Sequence, residues 1–136
     1  VLSMIADDVD YLGVDISTVA IDRLRHLYRG VENRSFITLE QAGQAEVEAD
    51  MAISADVIFH CIEDSDYEAH LRNLFPSARS VVLIHSSDID NGQTARHVRW
   101  RKFTPDVARI APDWKLTQAP ALAGDIGWHV YRRGVR

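Results

Sequence analysis

Between residues 11 and 87, short β-rich apolar runs alternate with stretches whose apolar residues recur at helical spacing, and this alternation constrains the fold more than any other feature. The clearest run is RSVVLIHSS, 79–87, in which Val81 to Ile84 leave no polar face for water and so predict a strand at the centre of a sheet. YLGVDI (11–16), SFITL (35–39) and ADMAISA (49–55) predict three earlier strands, the first apolar enough to be buried on both faces. Ser17 offers an N-cap to a helix carrying Ala20, Ile21, Leu24, Leu27 and Tyr28, which Gly30 stops. The acidic stretch 40–48 is weakly patterned and predicts a loop or a short helix. Tyr67, Leu71, Leu74 and Phe75 predict another helix, ended by Pro76, with the acids of EDSD (63–66) complementing the dipole at its start. Strands separated by helices of this length must be joined by parallel crossovers. The fold class is therefore α/β, with a doubly wound, Rossmann-like sheet.

After residue 87 the character changes. A loop with Asp88, Asp90, Asn91 and Gly92 leads into HVRWRKF, and a helix is predicted from Pro105 to Ile110 with Thr104 as its cap. WKLTQAPAL and WHVYRRG follow as strands separated only by AGDIG, too short for a crossover helix, so they must pair antiparallel. The sheet is thus mostly parallel with an antiparallel C-terminal strand. At the other end, VLSMIADDVD enters with no cap or turn signal, as the end of a helix would, which leads us to expect one domain spanning 1–136 whose sheet is truncated at the N-terminus.

Charge and composition exclude several function classes. With 15 basic and 20 acidic residues the net charge is −5, which disfavours general binding to nucleic acid or to an anionic membrane and points to a small-molecule partner. Cys61 is the one cysteine, so neither an internal disulfide nor a multi-cysteine zinc site can form. The six histidines have no ligand spacing, and no metal site is expected. No apolar run approaches the roughly 20 residues of a membrane span, no signal peptide is visible, and the chain reads as cytoplasmic.

In an open α/β sheet, ligands bind beyond the carboxyl ends of the strands, and Asp15, Glu40 and Asp56 all fall at such ends. A carboxylate there can accept hydrogen bonds from two adjacent ribose hydroxyls, each worth about 1.5–3 kcal/mol. Taken alone, Asp15 serves equally well as a cap for the helix that follows. His60, beside Cys61 on an apolar segment, reads first as a packed, hydrogen-bonded residue and second as a base. RHVRWRK (96–102) reads first as a solvated flank and second as a surface that stacks and neutralises single-stranded nucleic acid.

Five segments in order resemble a known family: YLGVDIS, AIDRLR, DMAISADVIFHCIEDSDYEAHLRNLF, RSVVLIHSSD and HVRWRKFT. Together they are similar to class I S-adenosylmethionine-dependent methyltransferases, above all to bacterial small-molecule members with a DVIxHLVEDxxYExxLxxLF signature. The resemblance runs from Asp10 to the last strand and implies a seven-stranded sheet whose final strand is antiparallel. It implies that Asp15 binds the cofactor ribose, with Ile16 against the adenine and Glu40 near its amine. Ser54, Ala55 and Asp56 would lie where the methionine portion meets a small-molecule acceptor, a sugar or related metabolite, and 96–102 would line the acceptor pocket. His60 and Asp56 are then the candidate catalytic bases. One departure matters. The family's first strand and its DxGxGxG loop, where the backbone must approach the cofactor closely, have no counterpart, since the first glycine is Gly13. The intact protein is expected to bind S-adenosylmethionine, and the chain as written to bind it weakly or not at all. Two rival readings stand beside this one. A phosphorylatable receiver domain would use Asp7 and Asp8 for magnesium, with Asp56, Ser86 or Ser87, and Lys102. A nonenzymatic nucleotide-binding or subunit domain would need no chemistry.

Overall fold

The computed structural model describes residues 5–6, 8–122 and 124–134, and the chain divides into two units, Val1–Val47 and Glu48–Arg136. In the first unit, β1 (Tyr11–Asp15) pairs in parallel with β2 (Arg34–Thr38), Gly13 opposite Phe36 and Asp15 opposite Thr38. The connection is α1 (Thr18–Leu27), capped by Ser17, whose hydroxyl accepts the Ala20 amide at 3.2 Å. Beyond α1 the chain turns at Gly30, whose φ of +86° is cheap only for glycine. The stretch after β2 forms the short α2 (Leu39–Gln44) because Thr38 and Gln41 make a reciprocal capping box, with Gln41 N donating to Thr38 Oγ1 and Thr38 N to Gln41 Oε1. The core is small: Phe36 lies against the rings of Tyr11 and Tyr28, and Ile21 is the buried residue of α1. Burial of β1 on both faces is not observed. Leu12 and Val14 are exposed, and among the described residues β1 has β2 as its one strand partner. Of the expected N-terminal helix, residues 1–4 and 7 lie outside the described residues, and the described ones form bends and turns.

The second unit holds a four-stranded sheet in the order β3-β4-β8-β7. β3 (Ala49–Ala55) and β4 (Ala78–Ser86) are parallel and joined through α3 (Asp64–Leu74). β8 (Gly127–Arg133) runs antiparallel to β4 on one side and to β7 (Trp114–Gln118) on the other. The sheet is therefore mixed, with the expected antiparallel closing pair, and the apolar run of β4 is interior. Alternate residues of β4 (Val82, Ile84, Ser86) are buried beneath α3 and α4 (Thr104–Ile110), as a period of two requires. Phe75 anchors this core, packing edge-on against Trp114 and Tyr131 with ring centroids 5.5 and 5.4 Å away. Burial holds the Tyr131 hydroxyl's pKa well above its ordinary value.

Two local features differ from the sequence reading. The HVRWRKF region belongs to a hairpin, β5 (Gly92–Ala95) with β6 (Val98–Trp100). And Thr104 does not cap α4 but is its first residue: Asp88 supplies the cap, its carboxylate accepting from Thr104 N at 3.0 Å and from Thr104 Oγ1 at 2.7 Å. Among the described residues, no helix is long and apolar enough to cross a membrane.

Candidate functional site

In the first unit the carboxyl edge of the parallel pair carries three of the expected residues. Asp15 is the last residue of β1, and its Oδ1 accepts the amide of Ser17 at 2.8 Å, bracing the turn into α1. Oδ2 has no partner among the described residues, so bracing the turn engages one of the two carboxylate oxygens. Ile16, the next residue, is 82% exposed, an apolar surface with nothing over it. Glu40 sits in the first turn of α2, two residues past the end of β2, where its charge complements the dipole. This edge offers what a nucleoside needs, namely carboxylates to accept from hydroxyls and an amine and an aliphatic face for a base. Two shallow hollows of the same unit lie elsewhere. One of 590 Å³ is lined by Asp8, Asp10 and 30–33, and one of 440 Å³ by Arg25 and residues 28–31 and 34–37. The first opens at the amino ends of β1 and β2, away from the strand ends where an α/β sheet receives ligands.

In the second unit β3 delivers Ser54, Ala55 and Asp56 to the carboxyl end of its sheet. Ser54 is 2% exposed and turns toward α3, its Oγ 2.9 Å from His70 Nε2. Its side chain is engaged inward, leaving only backbone for a ligand. Burial lowers the pKa of His70, so this ring stays neutral. Ala55, half-buried, closes β3 opposite His85 of β4. Asp56 follows with φ at +59°, a left-handed conformation that aspartate tolerates better than most side chains. Its amide donates to the His85 carbonyl at 3.2 Å, and its Oδ1 accepts from His85 Nδ1 at 2.8 Å.

The structure separates the two candidate bases into different partnerships. His60 ends a 3₁₀ turn (Ile58–His60) and donates from Nδ1 to the His97 carbonyl at 2.8 Å, with its ring stacked on that of His97 and beside Phe59. Phe59 in turn meets Trp100 of β6 at 4.8 Å. This turn and the β5–β6 hairpin are tied further by Arg101, which is buried and donates to the carbonyls of Cys61 and Ile62 and to Asp64 while lying 4.7 Å over the Tyr67 ring. Arg99 also donates to Ile62 O. The basic run 96–102 is therefore not a solvated flank, since two of its arginines fasten the segment that follows β3. Arg101 and then Arg99 hold the Asp64 carboxyl below its usual range. Sequence reasoning passed over His85, which lies 29 residues from Asp56 and meets it only because β3 and β4 are adjacent. Among the described residues, no cluster of three His, Cys, Asp or Glu is placed to hold a metal ion, and Asp7 of the receiver reading lies outside them.

No family model matches the chain, and no curated protein matches it at a significant level. Solved structures do match. The magnesium protoporphyrin IX methyltransferase of Synechocystis PCC 6803, with bound S-adenosylhomocysteine, superposes with a TM-score of 0.64 at 15% identity, over 90% of this chain and 64% of that one. The CurJ carbon methyltransferase gives 0.64 at 10% identity, over 98% and 44%. The N-methyltransferase NodS of Bradyrhizobium japonicum WM9 gives 0.60 at 14%, over 91% and 73%. The chain thus spans 64% of the Synechocystis enzyme's length. The superpositions, with the antiparallel strands that close the sheet of the second unit, show that this chain has the fold of the class I S-adenosylmethionine-dependent methyltransferases.

Proposed function

We infer that the protein, as one methyltransferase-like domain, transfers a methyl group from S-adenosylmethionine to a small-molecule acceptor by in-line displacement. The observation that carries this reading is Asp15: a carboxylate at the carboxyl edge of a parallel strand, with one oxygen bracing the turn and the other open beside a bare isoleucine. Asp15 would accept from the ribose hydroxyls, Ile16 would lie against the adenine, and Glu40 would accept from its exocyclic amine. The cofactor brings a methyl group already activated by the positive charge on sulfur. The protein's task is then to hold the acceptor in line and exclude water, a positioning effect worth up to about 7–11 kcal/mol. Solved structures of comparable likeness include a carbon and a nitrogen methyltransferase, so the fold does not choose the acceptor atom. A net charge of −5 favours a small acceptor over a polyanion.

The test is calorimetric titration of the complete protein with S-adenosylhomocysteine. Asp15→Ala is expected to weaken binding by about 1.5–3 kcal/mol. Unchanged affinity removes the role assigned to Asp15, and no binding by the unaltered protein removes the reading.

A further inference from the structure

The pair formed by Asp56 and His85 is built like a general base and its orienting carboxylate. Imidazole Nδ1 faces a carboxylate oxygen at 2.8 Å, and a carboxylate only accepts, so the proton sits on Nδ1 and the lone pair on Nε2. The arrangement is held twice, because the Asp56 amide also bonds the His85 carbonyl, and the left-handed backbone at Asp56 turns the side chain back onto β4. His85 stands on the face of β4 opposite the helix-covered core, its ring 4.8 Å from that of Trp128, its register partner on β8. Its side chain is 28% exposed and that of Trp128's residue 40%, so a ligand can reach both. The site lies at the carboxyl end of parallel strands, where α/β sheets receive ligands.

We propose that His85 is the base that removes the acceptor's proton through Nε2, that Asp56 is its positioning residue, and that the acceptor is a hydroxyl borne on a planar, phenol-like ring. This rests on the methyltransferase reading above. An amine or a thiolate offers a lone pair without help, whereas a neutral hydroxyl becomes a strong nucleophile only as its proton leaves, so an oriented imidazole is useful for oxygen acceptors in particular. The exposed indole of Trp128 gives such a ring a flat surface beside the base. In the step, the O–CH₃ bond forms as the S–CH₃ bond breaks with its electron pair going to sulfur. The hydroxyl proton passes to Nε2, and the imidazolium, paired with Asp56, later releases it to water. Asp56 is then not itself the base, and His60, whose Nδ1 is committed to the His97 carbonyl on another segment, has no carboxylate behind it.

A further titratable neighbour is His129, on the core face of β8 one residue past Trp128; burial lowers its pKa, so it contributes no charge near neutral pH. Two measurements on the full chain test the proposal without turnover. Nitrogen-15 NMR is expected to show His85 protonated on Nδ1 alone in the neutral ring, Asp56→Asn to give a mixture of tautomers, and Asp56→Glu to restore one. With 4-nitrophenol as probe, the phenolate absorbance is expected to appear at lower pH in the presence of protein, with the apparent affinity falling about tenfold in His85→Gln and unaffected in His60→Gln. A neutral ring protonated on Nε2, or a phenolate band indifferent to His85→Gln, overturns the assignment. The two readings fail separately: S-adenosylhomocysteine bound normally while the phenol probe ignores His85 defeats the base alone, whereas no cofactor binding by the complete protein defeats methyl transfer.

Discussion

Replacing Arg101 with methionine is expected to destabilise the second unit by about 3 kcal/mol, although the residue makes only one ion pair with a carboxylate. Its side chain is 8% exposed, and the guanidinium donates to Cys61 O, to Ile62 O at 2.7 Å and to Asp64 Oδ1 at 3.0 Å. A hydrogen bond from a charged donor contributes about 1.5–3 kcal/mol, so the two carbonyl bonds set a gross loss of about 3–6 kcal/mol. The Asp64 contact adds little, because that carboxylate is 76% exposed and well solvated. Against this, the buried Nε of Arg101 has no partner among the described residues, and deleting it returns roughly 1 kcal/mol. Methionine keeps the contact of the aliphatic stem, and water reaches the freed carbonyls in part, which brings the net to about 3 kcal/mol. All three tryptophans, Trp100, Trp114 and Trp128, lie in the second unit, so fluorescence-detected urea unfolding reports its stability directly. The control is Arg109→Met. Arg109 is exposed and pairs with Glu68 at 3.2 Å and Asp106 at 3.1 Å, contacts that solvent screens, so its loss should be clearly smaller. Equal losses in the two variants, or a loss below about 1 kcal/mol for Arg101→Met, would refute the claim that burial rather than the number of ion pairs decides the effect.

Gly13→Ala should cost the first unit about 1–3 kcal/mol, since a Cβ there would stand 2.7 Å from Phe36 Cδ1 in a ring already packed by Tyr11 and Tyr28; far-UV circular dichroism melts showing no loss would contradict this packing. Acid sensitivity should depend on His70. Its folded pKa lies below the unfolded value of about 6.5, so the stability it contributes is full above that pH and is lost as the pH falls toward the folded pKa, at up to about 1.4 kcal/mol per pH unit. His70→Gln should flatten the urea midpoint against pH on the acid side of neutrality, and an unchanged slope there would show that burial does not hold this ring neutral.

The parts of the fold legible in the sequence are those where one short segment contains its own reason. Val82 and Ile84 need burial wherever they lie, Ser17 caps its own helix, and AGDIG is too short to allow anything but an antiparallel return. The parts that escaped depend on residues brought together from a distance. The β5–β6 hairpin turns at Arg96 and His97, a pair without the glycine or asparagine that marks a tight turn, and Arg99 of β6 and Arg101 just past it donate to a carbonyl of another segment. The true cap of α4 is Asp88, 16 residues before the amide it accepts from. The same physics governs the site. Asp15 was readable because strand-end carboxylates have a local meaning. Asp56 was readable only as a lone acid, because its hydrogen-bond partner His85 is brought to it by the pairing of Ala55 with His85 and not by any spacing along the chain. A carboxylate that its own segment offers as a candidate base becomes, beside the adjacent strand, the group that accepts from one nitrogen of an imidazole and leaves the other free. It follows that side-chain pairs in such sheets are to be sought at the carboxyl ends of adjacent strands, one residue past the last register pair, where 29 residues of intervening chain count for nothing.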